Sequence, residues 1–451
     1  MNYIFSLPIN TRQIINKYFL AIIIGCMAFL SYNYNALMIT SDDYFITHQL
    51  DSEQLILDGI LHGNNENGHI SLGRYTRPNI DKQWVYSHQL YLNKNKQGVF
   101  DEYRSQFGLQ LYLYNFIAKK INYDARFLQA FSSFLMSLIV SCFFIIIKSE
   151  FSRKHAFAFC IPLIISPWVV VFAKNLYWVE AAWYLPTIVA FLFGKNAFMS
   201  FKNAAILGSM LFLTFLIKML CGYEYITTIA LSACVPIMYY ATKYRIKAIK
   251  LFYMLLLAGS SFLSAFLLAL VIHAHSLSSD SYNGFNEIYF NAAKRVAISN
   301  PELAAREACK YSENPSECKK IYINSLTSNG FAVAGKYFSI PHFLPWIDRF
   351  DRPWIDQLNS SSAIKILLKK ATTIINNLGF IIFCIFVFFK AFKGKSPLSA
   401  AIFVAFSAAL SWYVLAKGHS YIHTHMNYVL WYLPFIPLSM LLFIKKKINY
   451  D

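Results

Sequence analysis

Long apolar runs recur along almost the whole chain, and the charged residues between them collect in short clusters. The runs fall at about 18–38, 127–147, 156–172, 178–193, 204–217, 225–240, 251–273, 378–389, 399–415 and 428–444. A helix needs about 20 apolar residues to cross a bilayer, where no water satisfies an unpaired backbone group. The pattern predicts an all-α polytopic membrane protein with about ten transmembrane helices, residues 1–451 forming a single integral membrane domain. Only 14% of residues are charged, against roughly 25% in a soluble domain. The net charge of +18 does not point to nucleic acid, because the basic residues sit between apolar runs rather than on one soluble face. The positive-inside rule accounts for them.

Those basic clusters set an orientation. Lys148, Arg153 and Lys154, then Lys195 and Lys202, then Lys243, Arg245, Lys247 and Lys250, then Lys390, Lys393 and Lys395, and last Lys445 to Lys447 alternate consistently with Arg12 and Lys17. Both termini are expected in the cytoplasm, with the chain in a bacterial inner membrane. The first run lacks a small-x-small cleavage site and reads as a retained anchor rather than a removed leader. Two long polar segments then fall on the periplasmic side, at 39–126 and 274–370. In the first, Ile46, Leu50, Leu57 and Leu61 keep helical spacing while Asp51, Gln54 and Asp58 take other faces. This predicts an amphipathic helix along the membrane surface. Cys309 and Cys318 could form a short disulfide if the second segment lies in an oxidising compartment.

Asp42 and Asp43 stand just beyond the outer end of the first run. Acids that close to hydrocarbon face water or perform a task, and a general base for an acceptor hydroxyl is one such task. Ser41-Asp42-Asp43 is equally good chemistry for a helix N-terminus. Three short outer hairpins carry one lysine each, Lys174, Lys218 and Lys417, and ammonium groups serve as point charges for phosphate. Snorkelling is the plain alternative. His419, His423 and His425 offer hydrogen bonds to phosphate or sugar. No HExxH accompanies them, so no cofactor is implied, although a divalent cation is compatible. Tyr177, Trp178, Glu180 and Glu224 belong to the same rims, where the acids are functional candidates or lysine partners. Arg74, Arg77 and Arg104 are either an anion clamp or solvated surface. In the second segment Lys294-Arg295, Ile321-Tyr322-Ile323, Trp346 and Trp354 offer faces suited to sugar rings, or simply pack the loop.

The layout resembles the GT-C class of membrane glycosyltransferases, across the whole chain. Locally the resemblance rests on Ser41-Asp42-Asp43, Tyr103-Arg104-Ser105-Gln106-Phe107-Gly108, Asn175-Leu176-Tyr177-Trp178, Gly222-Tyr223-Glu224-Tyr225 and Lys417-Gly418-His419-Ser420-Tyr421-Ile422-His423. The resemblance implies transfer of a single sugar, glucose being a candidate, from a polyprenyl-phosphate carrier to a hydroxyl of a lipid-linked surface glycan of the O-antigen or lipopolysaccharide type. Asp42 or Asp43 would be the base. Lys174, Lys218, Lys417, His419 and His423 would bind the donor phosphate. Arg74, Arg104, Tyr177, Trp178, Glu180, Glu224 and His425 would contact substrate. No WWDYG-like tract is present, which argues against transfer to protein asparagine. Two other readings stay open: a polysaccharide polymerase, and a non-enzymatic flippase or transporter of lipid-linked glycans. The latter class places its charges at mid-bilayer, often within repeats, and no repeat is visible here.

Overall fold

The computed structural model describes residues 11–64, 69–77, 80, 82–278, 280–293, 301–309, 314–339, 360–394, 396–424 and 426–444. His425, Lys294, Arg295, Trp346, Trp354, Lys395 and Lys445 to Lys447 lie outside the described residues. Among the described residues the chain is mostly helical, with one two-stranded antiparallel sheet.

Helix α1 (Thr11–Tyr34) stops where Asn35 and Met38 take positive φ. The Asn35 side chain accepts from Ile39 N at 2.9 Å and donates to Thr40 O. Local side-chain bonding of this kind competes with the helical ladder and ends it. Ser41 then caps α2 (Asp42–Thr47) by accepting from Tyr44 N. Gln49, in the left-handed region, separates α2 from α3 (Leu50–Gly63). Strand β1 (Gly73–Thr76), α4 (Ser87–Leu92), β2 (Val99–Glu102) and α5 (Leu109–Ala118) follow, with β1 and β2 antiparallel and Gly73 opposite Glu102.

The surface helix expected over α3 is instead interior. Every residue from Glu53 to Leu61 is buried, enclosed by the hairpin, α4 and α5. Its polar positions are satisfied inside the fold: Asp58 takes a bidentate bond from Arg77, and Glu53 accepts from Gln129 and His88. Amphipathic spacing reports that one face is apolar; it does not report that partners wait for the other face.

The helical body comprises α6 (Ala125–Glu150), α7 (Arg153–Ile164), α8 (Pro167–Ala173), α9 (Ala181–Ala197), α10 (Phe201–Cys221), α11 (Ile226–Lys243) and α12 (Ala248–Leu277). The second polar segment carries α13 (Ser281–Ala293), α14 (Pro301–Ala308), α15 (Pro315–Thr327) and α16 (Gly330–Ser339). The chain then returns as α17 (Ser362–Gly394), α18 (Pro397–Leu415), α19 (Lys417–Ile422) and α20 (Phe435–Met440).

Among the described residues four helices, α6, α10, α12 and α18, are long and apolar enough to cross a membrane, or five spans if α7 and α8 count as one bent by 70°. The count of about ten is therefore corrected. For four of the runs the reason is local chemistry. Ser166 caps α8 with Pro167 at its first position and breaks the third run. Helix α9 reaches only 17 residues, α11 is diluted by Thr227, Thr228 and Ser232, and the last run is split into short turns around Pro434 and Pro437. Helix α12 exposes Phe252, Leu256, Leu263, Leu267 and Val271 along one side. A continuous apolar face of this kind suits acyl chains rather than water.

Candidate functional site at one end of the helical body

A cavity of about 340 Å³ opens where the ends of several elements meet, within the roughly 300–1,000 Å³ of small-molecule sites. The start of α3 supplies Gln49, Asp51 and Ser52. The turn before α5 supplies Tyr103, and the α8–α9 connection supplies Tyr177 and Trp178. Glu224 enters between α10 and α11, Tyr322 comes from α15, and α19 with its flank contributes Gly418, His419, Ile422, His423 and Met426. None of these residues belongs to a helix of spanning length or to the bent α7–α8 pair. Among the described residues that line it are two carboxylates and no lysine or arginine.

Backbone-directed bonds fix the aromatic wall. Asn175 donates from its side chain to Gln49 O at 3.2 Å and accepts from Tyr177 N at 3.0 Å. Gln110 donates to Tyr177 O at 2.8 Å. Trp178 stacks on Tyr225, centroids 5.6 Å apart. The hairpin sequence Asn175-Leu176-Tyr177-Trp178 is thereby locked to the start of α3, which no spacing rule along the chain foretells.

Glu224 is buried, and the Tyr177 hydroxyl lies 3.4 Å from both Glu224 Oε1 and the Tyr103 hydroxyl. Behind it Lys218, also buried, donates to Gly222 O and supplies an opposing positive charge. Gly222 permits this close arrangement: a Cβ there would come within 2.6 Å of both Gln106 Oε1 and Glu224 Oε2. Glu224 thus lines the cavity with the Lys218 charge nearby, an arrangement suited to meeting a ligand.

His419 and His423 are one turn apart, with ring centroids separated by 4.5 Å. Asn427 organises this corner. Its amide lies 3.4 Å from His419 Nδ1 and 3.3 Å from the Tyr337 hydroxyl, and its Oδ1 accepts from Tyr225 at 2.8 Å. Among the described residues no group of three or more His, Cys, Asp or Glu is arranged to hold a metal.

The other candidates fall elsewhere. Asp42 and Asp43 do not line this cavity. Both are exposed in the first turn of α2, where acids favour a helix N-terminus,. The three lysines do not converge on the cavity either. Lys174 is buried 3.7 Å above the Phe45 ring near Glu53, Lys218 stands behind Glu224, and Lys417 donates to Ser328 O at 2.9 Å. Burial changes what a lysine does: its charge is spent on internal partners. Glu180 is wholly buried beside Tyr184 instead of on the cavity wall. Arg104 is exposed and paired with Glu102 and Glu287, Arg74 is half-buried on β1, and Arg77 is enclosed with Asp58. None of these three arginines lines the cavity.

Burial pushes the Lys174 ammonium down to about 8, with Glu53 acting in the opposite direction. Below pH 8 the group is protonated whether folded or unfolded. Between about 8 and its ordinary 10.5 the unfolded chain holds the proton and the folded chain does not. Stability should therefore rise with pH across that window. Lys174→Met should flatten the rise, read as thermal unfolding in detergent at a series of pH values; an unchanged slope would show that Lys174 is not its source.

No protein-family model, curated protein or solved structure matches this chain. The cavity also contains residues that reading along the chain did not single out as site residues: Gln49, Ser52, Tyr103 and Met426, with Asn427 behind them. Asp51 is legible only as the polar side of a helix, and Tyr322 only as one aromatic among several. Nothing in their local spacing marks them, because they converge from separate parts of the chain.

Proposed function

We propose that this protein is a membrane-embedded glycosyltransferase working at the end cavity, moving a sugar from a polyprenyl-phosphate carrier to a hydroxyl of a surface glycan. The observation that carries the reading is the cavity's place and lining together: outside every spanning helix, with two carboxylates facing Tyr103, Tyr177, Trp178 and Tyr322. Aromatic faces and acids suit a hydroxylated ring. A transport path would put its charges at mid-bilayer. A disulfide joins Cys309 and Cys318 beside the helix that bears Tyr322, which supports an oxidising, extracytoplasmic setting.

In this reading Glu224, rather than Asp42 or Asp43, accepts the proton of the incoming hydroxyl. The oxygen attacks the anomeric carbon, and the bond to the lipid phosphate breaks with its electron pair leaving on phosphate. His419 and His423 donate hydrogen bonds to that departing oxygen, stabilising charge where it develops. Asp51, at the mouth, orients the acceptor. Mass spectrometry of surface glycans from cells with and without the protein tests the reading. Loss of one sugar per repeat supports it. Intact repeats in shortened chains would replace it with polymerisation, and loss of all exported glycan would replace it with transport.

A further inference from the structure

Helix α5 is apolar on two opposite faces, and the fold covers one of them. Leu111, Tyr114 and Ala118 are buried, while Tyr112, Leu113 and Phe116 are exposed. At 3.6 residues per turn positions 112, 113 and 116 share one face. Large apolar side chains gathered in this way call for a partner other than water. Lys119 and Lys120, both exposed, follow at the C-terminal end of the helix. The chain then reverses through Asn122 and Tyr123, both with positive φ, and enters α6 at Ala125. Arg126 and Phe127 are exposed in the first turn of α6, and Phe134 and Leu138 continue its exposed apolar stripe. Residues 116–127 hold three cations and one acid. That acid, Asp124, is committed to the helix cap, where it accepts from Arg126 N at 2.9 Å. Lys94, 4.5 Å over the Tyr123 ring, brings a fourth cation to the same corner.

We propose that the exposed face of α5 and the cationic turn after it form a docking surface for anionic phospholipid. Leu113 and Phe116 meet the upper acyl chains, and Lys119, Lys120 and Arg126 meet the headgroup phosphates. Continuity decides the occupant. The surface runs into the first turn of α6, a helix long and apolar enough to cross a membrane, so the edge of the bilayer lies at that turn. Helices that pair exposed apolar side chains with basic groups lie in the interface, and each basic group there is drawn to anionic lipid. The covered side of α5 reaches the cavity, since Gln110 donates to Tyr177 O at 2.8 Å. The lipid therefore seats the helix that holds the aromatic wall. The surface stands whether or not the cavity transfers sugar.

A photochemical capture experiment tests this. Phe116 would be replaced by p-benzoylphenylalanine and the full-length protein reconstituted in vesicles of equal parts phosphatidylcholine and phosphatidylglycerol. One lipid at a time carries a radioactive headgroup phosphate, and label bound to the purified protein is measured after irradiation. Phosphatidylglycerol should be captured roughly fivefold more than phosphatidylcholine, about what one basic residue contributes at an anionic surface. Lys119→Gln, Lys120→Gln and Arg126→Gln together should bring the two lipids to parity while total capture is retained. High salt should narrow the gap with the three cations in place, a readout independent of how the variant folds. Equal capture of the two lipids at low salt overturns the anionic preference. Absence of lipid capture, or a crosslink to a second copy of the chain in its place, overturns the docking surface.

Discussion

Glu224→Gln should abolish sugar transfer in membranes carrying the protein, while Asp42→Asn and Asp43→Asn should leave it within a few-fold of the parent. A positioned general base contributes roughly 10²–10⁴-fold, so the first substitution should lower kcat by that order. The amide keeps the shape of the carboxylate and its contact with Tyr177, 3.4 Å away, but cannot take a proton. Asp42 and Asp43, exposed on α2 and outside the cavity lining, have no reacting group to serve there. Asp51→Asn should act chiefly on KM, by roughly tenfold, since a hydrogen bond to a charged group is worth about 1.5–3 kcal/mol. Radiolabelled transfer from a polyprenyl-phosphate sugar, with each variant's membrane content matched, gives all four values. A dead Asp42→Asn or Asp43→Asn beside an active Glu224→Gln would return the base to α2.

The second large effect concerns the buried pair beneath the hairpin. Asp58 accepts from Gln54, from Tyr75 N at 3.0 Å and from both terminal nitrogens of Arg77, and Arg77 also donates to Asn95 O. The side chains of both are almost wholly enclosed, at 1% and 3% exposure. Asp58→Ala leaves a guanidinium inside the protein without its counter-charge, a change that costs about 3–5 kcal/mol. Hydrogen exchange should show β1, β2 and α3 opening together, since Asp58 on α3 bonds β1 through Tyr75 N and β1 is paired with β2. The paired replacement Asp58→Leu with Arg77→Met should recover most of the protection, because a matched apolar pair removes both desolvated charges. Equal exchange in the parent and Asp58→Ala would mean the hairpin is held by something else.

Both cases turn on polar groups whose partners are remote in the chain, and that is where reading the sequence reached its limit. The apolar runs at 127–147, 204–217, 251–273 and 399–415 each became a spanning-length helix, because composition over about 20 residues decides partition into lipid. The runs at 156–172 and 428–444 failed as single spans, because one Ser-Pro step or two prolines outweigh average hydropathy. Five site residues named from the sequence, Tyr177, Trp178, Glu224, His419 and His423, do line one cavity. Four of them lie in short connections or caps at helix ends and His419 in the short helix α19, positions that sequence can reveal.

The sequence by itself determined that this chain is helical and rich in lipid-compatible segments, and that its chemistry-bearing residues gather at helix ends. These are local properties, set by side-chain type and helical period within a turn or a span. Only the tertiary structure decided which acid faces the cavity, that the lysines of three tips turn to separate internal partners, and that α3 is interior. Those outcomes depend on which ends meet in space, and a carboxylate becomes a base, a cap or half of a buried pair according to what stands a few ångströms away.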